Sequence, residues 1–370
     1  MTLYQRLPIN PPTNTSGQDY YAHRGIIYGM LNAFDVVPPP TGNAISDTAS
    51  IQTTIDAAIT SNKGRTVLLS PGTYVVNATI NLRAVAGLHL IGNGATVIQS
   101  SVSPVIKMAH CRETVFEGFT VNPPAGGIGI QCLRDNAPNS ISPTMNTFRN
   151  VLIEGGAYGI VFGGTGMVDA NNDFNVLENV RANNYTITGF VLEGSQSYAN
   201  QFRNCFAFGA NGAASGVNTG SVGGHFHWYG GGMNNNIVDF RMGRHYQPYL
   251  IAGVVSENSD RFFERVNSSY GTLIVQGCRW AGNAINADNR AIITVGKIKL
   301  YLGYNSISDG GADTPTLLDF GANALNRIEM VGNTIYSNAS DVFPNAEPTK
   351  LEENDKVTNE GAGTVVLLTT

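Results

Sequence analysis

"GRTVLLSPGTYVVNATINL", residues 64–82, sets the architecture of this chain. Two short runs of β-formers, Thr66–Leu69 and 74–76, flank Ser70-Pro71-Gly72, and a third begins at Thr79. Strands of about four residues cannot enclose a core by themselves. They must lie on other strands of the same kind, so the rest of the sequence should repeat them.

It does. Segments that pair an apolar residue with Gly or Asn and then β-formers recur at Gly92, Gly118, Asn150, Asn179 and Asn204, and again at Gly277, Asn305 and Asn333. The steps are 26, 32, 29 and 25, then 73, then 28 and 28. A second series, Gly129, Gly159, Gly189 and Gly224, advances by 30, 30 and 35. Two landmarks moving together predict one coil per repeat, each with several short strands, and a coil buries its inward side only by stacking. The 73-residue step reads as two or more longer coils passing through "IVDFRM" near Asp239. The expected fold is all-β: a parallel β-helix of about nine to eleven coils.

Upstream, residues 1–46 are rich in Pro and aromatics and read as an extended arm and linker. Asp47 reads as the cap of a helix of about three turns, with Ile51, Ile55, Ala58 and Ile59 on one side. The solenoid then spans 47–340. Residues 341–370 leave the repeat with a charged segment followed by "TVVLLTT".

Composition narrows the function. Charged residues are 13 % of the chain, against about 25 % in ordinary proteins, and 43 of 370 residues are Gly. The net charge is −5 and no Lys/Arg run occurs, which argues against nucleic acid or an anionic membrane as partner. No apolar run approaches a membrane span, and the N-terminal residues lack the pattern of a signal peptide. Cys111, Cys132, Cys205 and Cys278 form no CxxC pair and read as small buried apolar residues. "GNGATV" at Gly92 is followed by a strand rather than a helix, so it is no dinucleotide fingerprint. No cofactor is expected.

In a stacked coil, equivalent residues lie about 4.8 Å apart. Asn150, Asn179 and Asn204 should therefore form an amide ladder, as should Asn305 and Asn333. The positions before the first three, with Glu117, alternate in charge: Glu117, Arg149, Glu178, Arg203. With Phe116, Phe148, Leu177 and Phe202 pointing inward, this is an outer ladder that sets register, not a catalytic group.

Candidate functional residues concentrate where the repeat is most disturbed, at 205–275, read as a stretch of lengthened coils. His225, His227, Trp228, Tyr229, Arg244, His245, Tyr246 and, beyond that stretch, Trp280 offer rings for the apolar face of a sugar and polar groups for its hydroxyls. His225 and His227 alternate along a strand and should share a face, but no zinc motif surrounds them. Glycoside cleavage uses two carboxylates, about 5–5.5 Å apart for retention and about 6.5–9.5 Å for inversion. Asp239, Glu257 and Asp260 are nearest the aromatic segment, and Asp169 and Asp173 form a second group. "DANND" lacks the Gly and terminal Glu of a calcium loop, so no metal is assigned.

The run from Asp47 through "IQTTIDAAI", "GRTVLLSPGTYVV" and "LHLIGNGATVI" resembles the start of the pectate-lyase-like superfamily of right-handed parallel β-helices, closely over 47–100 and by period alone over 100–340. The resemblance implies a right-handed parallel β-helix with a short N-terminal capping helix. The NTD, DD, GHG and RIK motifs of polygalacturonases do not occur in order, nor do the calcium-binding Asp cluster and arginine motif of pectate lyases. Bacteriophage tailspikes resemble the chain more fully. That likeness implies a receptor-binding protein of the virion, made in the host cytoplasm. The 1–46 arm would attach to tail or adaptor proteins, and the chain would form a homotrimer that binds, and in some cases cleaves, a bacterial surface polysaccharide such as lipopolysaccharide O-antigen. Residues 341–370 would then serve as a cap or a trimerisation tail. The alternative is a free pectate-lyase-like polysaccharide lyase or glycoside hydrolase.

Overall fold

The computed structural model describes residues 34–61, 65–83, 85–134, 143–163, 172–193, 197–220, 224–243, 247–265, 271–282, 292–294, 298–308, 318–319, 327–337, 350–351 and 356–359. Every strand pairing among them is parallel and joins one coil to the next. The chain is an all-β parallel solenoid, as the period predicts.

Each coil contributes up to three strands, and these build three sheets. In the opening stretch Thr66–Leu69 enters the first sheet, Gly72–Val76 the second and Ile80–Arg83 the third. Among the described residues, ten successive coils supply all three sheets. In two coils one strand runs unbroken through all three sheets, Asn200–Asn218 and Phe226–Met242, with positive-φ residues such as Asn204 and Asn235 keeping the corners within it. Lys350–Leu351 and Lys356–Asn359 continue the first and second sheets beyond 340. At the other end Phe34–Val37 pairs with Thr66–Leu69, so the first sheet begins inside the segment read as arm and linker.

Helix α1, Ala44–Thr60, covers the first coil with Ile51, Ile55 and Ala58 buried. Its 17 residues make it longer than the expected three turns. Its cap is Asn43, whose side chain accepts from the Ile45 and Ser46 amides, and not Asp47. Asp47 instead accepts from the Thr41 amide and hydroxyl and from the Gly42 and Val75 amides, which locks the helix to the second sheet. Burial alone would raise its carboxyl, but these bonds outweigh it and the pKa is lowered.

The predicted corner ladder is present. Asn150, Asn179 and Asn204 each hold φ of 51–53° between the first and second sheets, where Asn is one of the few residues at ease. Their amides bond in sequence, Asn204 Nδ2 to Asn179 Oδ1 at 2.7 Å and Asn179 Nδ2 to Asn150 Oδ1 at 3.3 Å. Asn305 and Asn333 bond to one another as expected, at 2.9 Å, but in the interior. The corner positions equivalent to Asn204 are Gly277, Tyr304 and Gly332, and the two asparagines follow by one residue. A second interior ladder, Asn146–Asn175–Asn200, was not anticipated; its amides bond at 3.1 and 3.0 Å.

Two parts of the period need correction. The 73-residue step contains three ordinary coils, because Arg203, Tyr229, Ala252 and Gln276 are successive register partners. Their spacings of 26, 23 and 24 show that coils at 205–275 shorten instead of lengthening. Gly224 also falls outside its series. The column runs Gly129, Gly159, Gly189, Gly216, Asp239 and Phe262. A Cβ on Gly159 would come within 2.4 Å of the Gly189 carbonyl oxygen and 2.9 Å of Ala182 Cβ, so the wall there has no room for a side chain. All four cysteines are free and buried, and burial pushes the thiols of Cys111 and Cys205 up to about 12.

Candidate functional site

Side chains on a strand alternate between the interior and the outside, so each sheet shows solvent vertical columns of register partners. On the first sheet one column reads Glu117, Arg149, Glu178, Arg203, Tyr229, Ala252, Gln276, Gly303 and Val331. Its lower half is the predicted charge ladder, with Arg149 3.0 Å from Glu178 and 3.7 Å from Glu117. Above Arg203 the column carries no charge. Beside it stand His227, Leu250, Ile274 and Tyr301, all half-buried, and then Glu329, which pairs with Arg327 at 2.6 Å. Tyr229 is 40 % exposed and Tyr304, at the adjoining corner, 62 %. Gly303 and Gly332 leave space for rings: a Cβ on either would lie within 2.8 Å of the Tyr301 or Tyr304 ring respectively.

Around that corner, the second sheet carries a smaller platform. Phe206 and Phe208 face outward with ring centroids 5.6 Å apart, and both rings lie against bare Gly232. The Arg181 guanidinium sits 4.7 Å over Phe206, its register partner. Arg149, Arg241, Arg279 and Arg327 each meet a carboxylate within 4.0 Å; Arg181 rests on a ring instead. Sequence analysis missed this platform, although Asn204 held its signal. With a corner at 204, residues 205 and 207 turn inward, so Phe206 and Phe208 must turn out.

The other candidates divide sharply. Trp228 and Trp280 are core residues, 0 % and 1 % exposed, and cannot stack on a sugar. Trp228 lies 4.6 Å from Phe202 in a parallel stack and donates from Nε1 to the Gly230 carbonyl. His225 is buried too: Nδ1 accepts from the Ala199 amide at 2.9 Å, and Nε2 lies 2.6 Å from the Pro248 carbonyl oxygen. That pattern describes a neutral imidazole with both nitrogens engaged. It leaves nothing for a ligand, so His225 is a structural residue. Its ring lies 4.8 Å from His227, which does share its side of the sheet and stays half-exposed. Burial lowers the His227 pKa, opposed by the Pro248 carbonyl.

The described acid candidates are enclosed or already engaged. Asp239 is 0 % exposed, inside the solenoid, where it bonds to Ser256 and Asn236. Glu257 follows Ser256 on the same strand and therefore faces the opposite side of the wall, where it lies 3.6 Å from Arg279. Asp260 is 1 % exposed. Asp173 is half-buried at a corner between the third and first sheets and accepts from the Tyr198 amide at 2.7 Å. Burial raises its pKa, and that bond lowers it in part. Asp169, Arg244, His245 and Tyr246 lie outside the described residues. Among the described residues no group of three or more His, Cys, Asp and Glu could hold a metal ion.

No family model matches the sequence, and no curated protein matches it either. Solved structures do. The A-module of mannuronan C-5 epimerase AlgE4 from Azotobacter vinelandii superposes with a TM-score of 0.58 at 15 % identity, over 90 % of this chain and 100 % of that one. The AlgE6 A-module from the same organism gives 0.54 at 17 % identity, over 83 % and 94 %. The catalytic domain of a GH87 alpha-1,3-glucanase in complex with tetrasaccharides gives 0.51 at 11 % identity, over 96 % and 71 %. At such identities the likeness is one of fold, and the fold shared with these polysaccharide enzymes is the parallel β-solenoid.

Proposed function

We propose that this chain binds a polysaccharide along its outer flank, on the upper half of the first sheet and the Phe206–Phe208 platform. One observation carries the proposal. On the first sheet the charge ladder stops at Arg203, and the uncharged column above it begins with exposed Tyr229 and is flanked by His227, Tyr301 and, at the corner, Tyr304, with Gly303 and Gly332 leaving room for the last two rings. Rings of this kind stack on the apolar faces of sugars, while Gln276, His227 and the tyrosine hydroxyls can meet their hydroxyl groups. The names of the structural neighbours, an epimerase of mannuronan and a glucanase with bound tetrasaccharides, support the same ligand class.

The finer reading is a receptor-binding spike of the phage tailspike type that attaches to host surface glycan, such as lipopolysaccharide O-antigen, as a homotrimer. It rests on the resemblance of the opening residues to tailspikes. Three of the four described acid candidates favour binding over cleavage, because Asp239 and Asp260 are enclosed and Glu257 is paired with Arg279.

The test is titration of the protein with lipopolysaccharide or capsule from candidate hosts, followed by sizing of the glycan. Binding should weaken at least tenfold in a Tyr229→Ala, Tyr301→Ala double variant. Binding unchanged in that variant would remove the flank, and a shortened glycan would remove the binding-only reading. Gel filtration at a monomer mass would remove the trimer.

A further inference from the structure

The interior of the solenoid contains a polar cluster that the flank does not use. It lies where the bare glycine column ends. Gly129, Gly159, Gly189 and Gly216 are followed in register by Asp239, which places a carboxyl among core side chains. Asp239 Oδ1 accepts from Asn236 Nδ2 at 3.0 Å, and Oδ2 bonds to the Ser256 hydroxyl. Asn236 is itself held by three other coils. Its Oδ1 accepts from the Tyr185 hydroxyl, its Nδ2 reaches the Ala207 carbonyl at 3.3 Å, and its backbone amide donates to Ser259 Oγ at 3.2 Å. Tyr185, Asn236, Asp239, Ser256 and Ser259 are all 0 % exposed.

We infer that this cluster is a proton-operated latch: the bonds of Asn236 and Asp239 together join four successive coils through the lumen, protonated Asp239 fastens its own coil to the next, and loss of its proton loosens that junction. A carboxylic acid can donate one hydrogen bond and accept others, which suits a site packed with hydroxyl and amide groups. A carboxylate there would be a charge enclosed in the core, with no cation among the described residues to meet it. Among the described residues the ionisable groups that bear on Asp239 are Tyr185 and Asp260, and neither supplies a positive charge. Burial raises the Asp239 carboxyl, the bonds from Ser256, Ser259 and Asn236 pull it back, Asp260 raises it again, and the result is about 7.

The sign follows from linkage. The folded value lies above the unfolded value of about 3.9. The stabilising effect is therefore complete below pH 4 and is lost as pH rises towards and through 7. Between pH 5 and pH 8 the unfolding equilibrium constant should rise about 100-fold from this group alone.

The experiment is urea unfolding at pH 5 and pH 8 of the wild type and Asp239→Asn. Asparagine has the same shape, can still accept from Asn236 and donate to Ser256, and carries no titrating group. The variant should lose most of the wild-type pH dependence; an equal dependence in both proteins overturns the latch. If the variant does not fold, amide hydrogen exchange on the wild type decides. Raising the pH should lower the opening free energy of the coils spanning 200–265 more than that of the coils spanning 115–160. A uniform change overturns the latch.

Discussion

The coils around Phe148 and those around Ile274 share one sheet and one backbone, yet they present different surfaces. In the first group the outer column alternates in charge, with Arg149 between Glu117 and Glu178, and an amide ladder runs along the adjoining corner. In the second group the same column reads Tyr229, Ala252, Gln276, Gly303, and its corner passes to Gly277, Tyr304 and Gly332. The interior does not follow this change: Phe116, Phe148, Phe202, Trp228, Ile251 and Val275 form one apolar column throughout. The wall of a solenoid therefore separates two tasks. Its inner residues answer to stacking, and the outer ones are free to differ between regions. In the lower coils the outer residues fasten coil to coil, and in the upper coils they face outward, on the surface proposed above for a ligand.

Neighbours on one strand offer the largest break of this comparison. Trp228 and Tyr229 are adjacent aromatics with opposite exposures. Trp228→Ala removes a ring packed against Phe190, Phe202 and Phe240. It should cost about 3–5 kcal/mol, read from the urea midpoint. Tyr229→Ala should change stability by no more than about 0.5 kcal/mol, while weakening glycan binding. Equal destabilisation by the two would show that the flank is part of the core.

The two amide ladders sharpen the distinction between inside and outside. Asn175 is fully buried; its backbone amide and side chain both donate to Asn200 Oδ1, and its own Oδ1 receives two bonds from Asn146. Asn175→Ala strands buried partners on either side and should cost about 2–3 kcal/mol. Asn179 makes similar side-chain bonds in solvent, and glycine tolerates its φ of 53°. Asn179→Gly should therefore cost under about 1 kcal/mol. Thermal unfolding of both variants checks this, and a reversed order would contradict the placement of the ladders.

These contrasts also show which features were legible in sequence. The coil was legible because its corners require special residues: Asn150, Asn179 and Asn204 mark the positive-φ position directly, and Gly118 marks it by lacking a side chain. The charge ladder was legible because Glu117, Arg149, Glu178 and Arg203 keep a fixed place before those corners. The site was harder because an aromatic residue suits either side of the wall. Trp228 and Trp280 drew attention as large rings, but the same property fills the lumen. Only phase separates the cases, and in Phe226–Met242 the phase is hidden by a run of glycines at 230–232, which blurs the corner. Counting from Arg203 to its partner Tyr229 would have assigned Trp228 to the core. Asp239 misled for a related reason: its column holds glycine in four earlier coils, and a carboxyl inside the lumen leaves no mark in composition.

The smallest effect concerns the step at which one surface becomes the other. Arg203 is the last charge of the ladder; it faces Glu178 on one side and Tyr229 on the other, and its guanidinium donates to Gln201 Oε1 at 2.6 Å. Tyr229→Glu would extend the alternation by one rung, placing a carboxylate opposite Arg203 as Glu178 stands opposite Arg149. Cross-strand ion pairs of this kind contribute about 0.2–1 kcal/mol, and solvent screening keeps exposed pairs near the lower end. The variant should therefore gain a few tenths of a kcal/mol at low ionic strength and lose that gain in about 1 M salt. Glycan binding should fall as it does in Tyr229→Ala, because either change removes the ring. A variant that binds as tightly as the wild type would mean that the ladder's end and the ligand surface do not meet at Tyr229. The boundary between fastening and recognition would then lie higher on the sheet, near Tyr301.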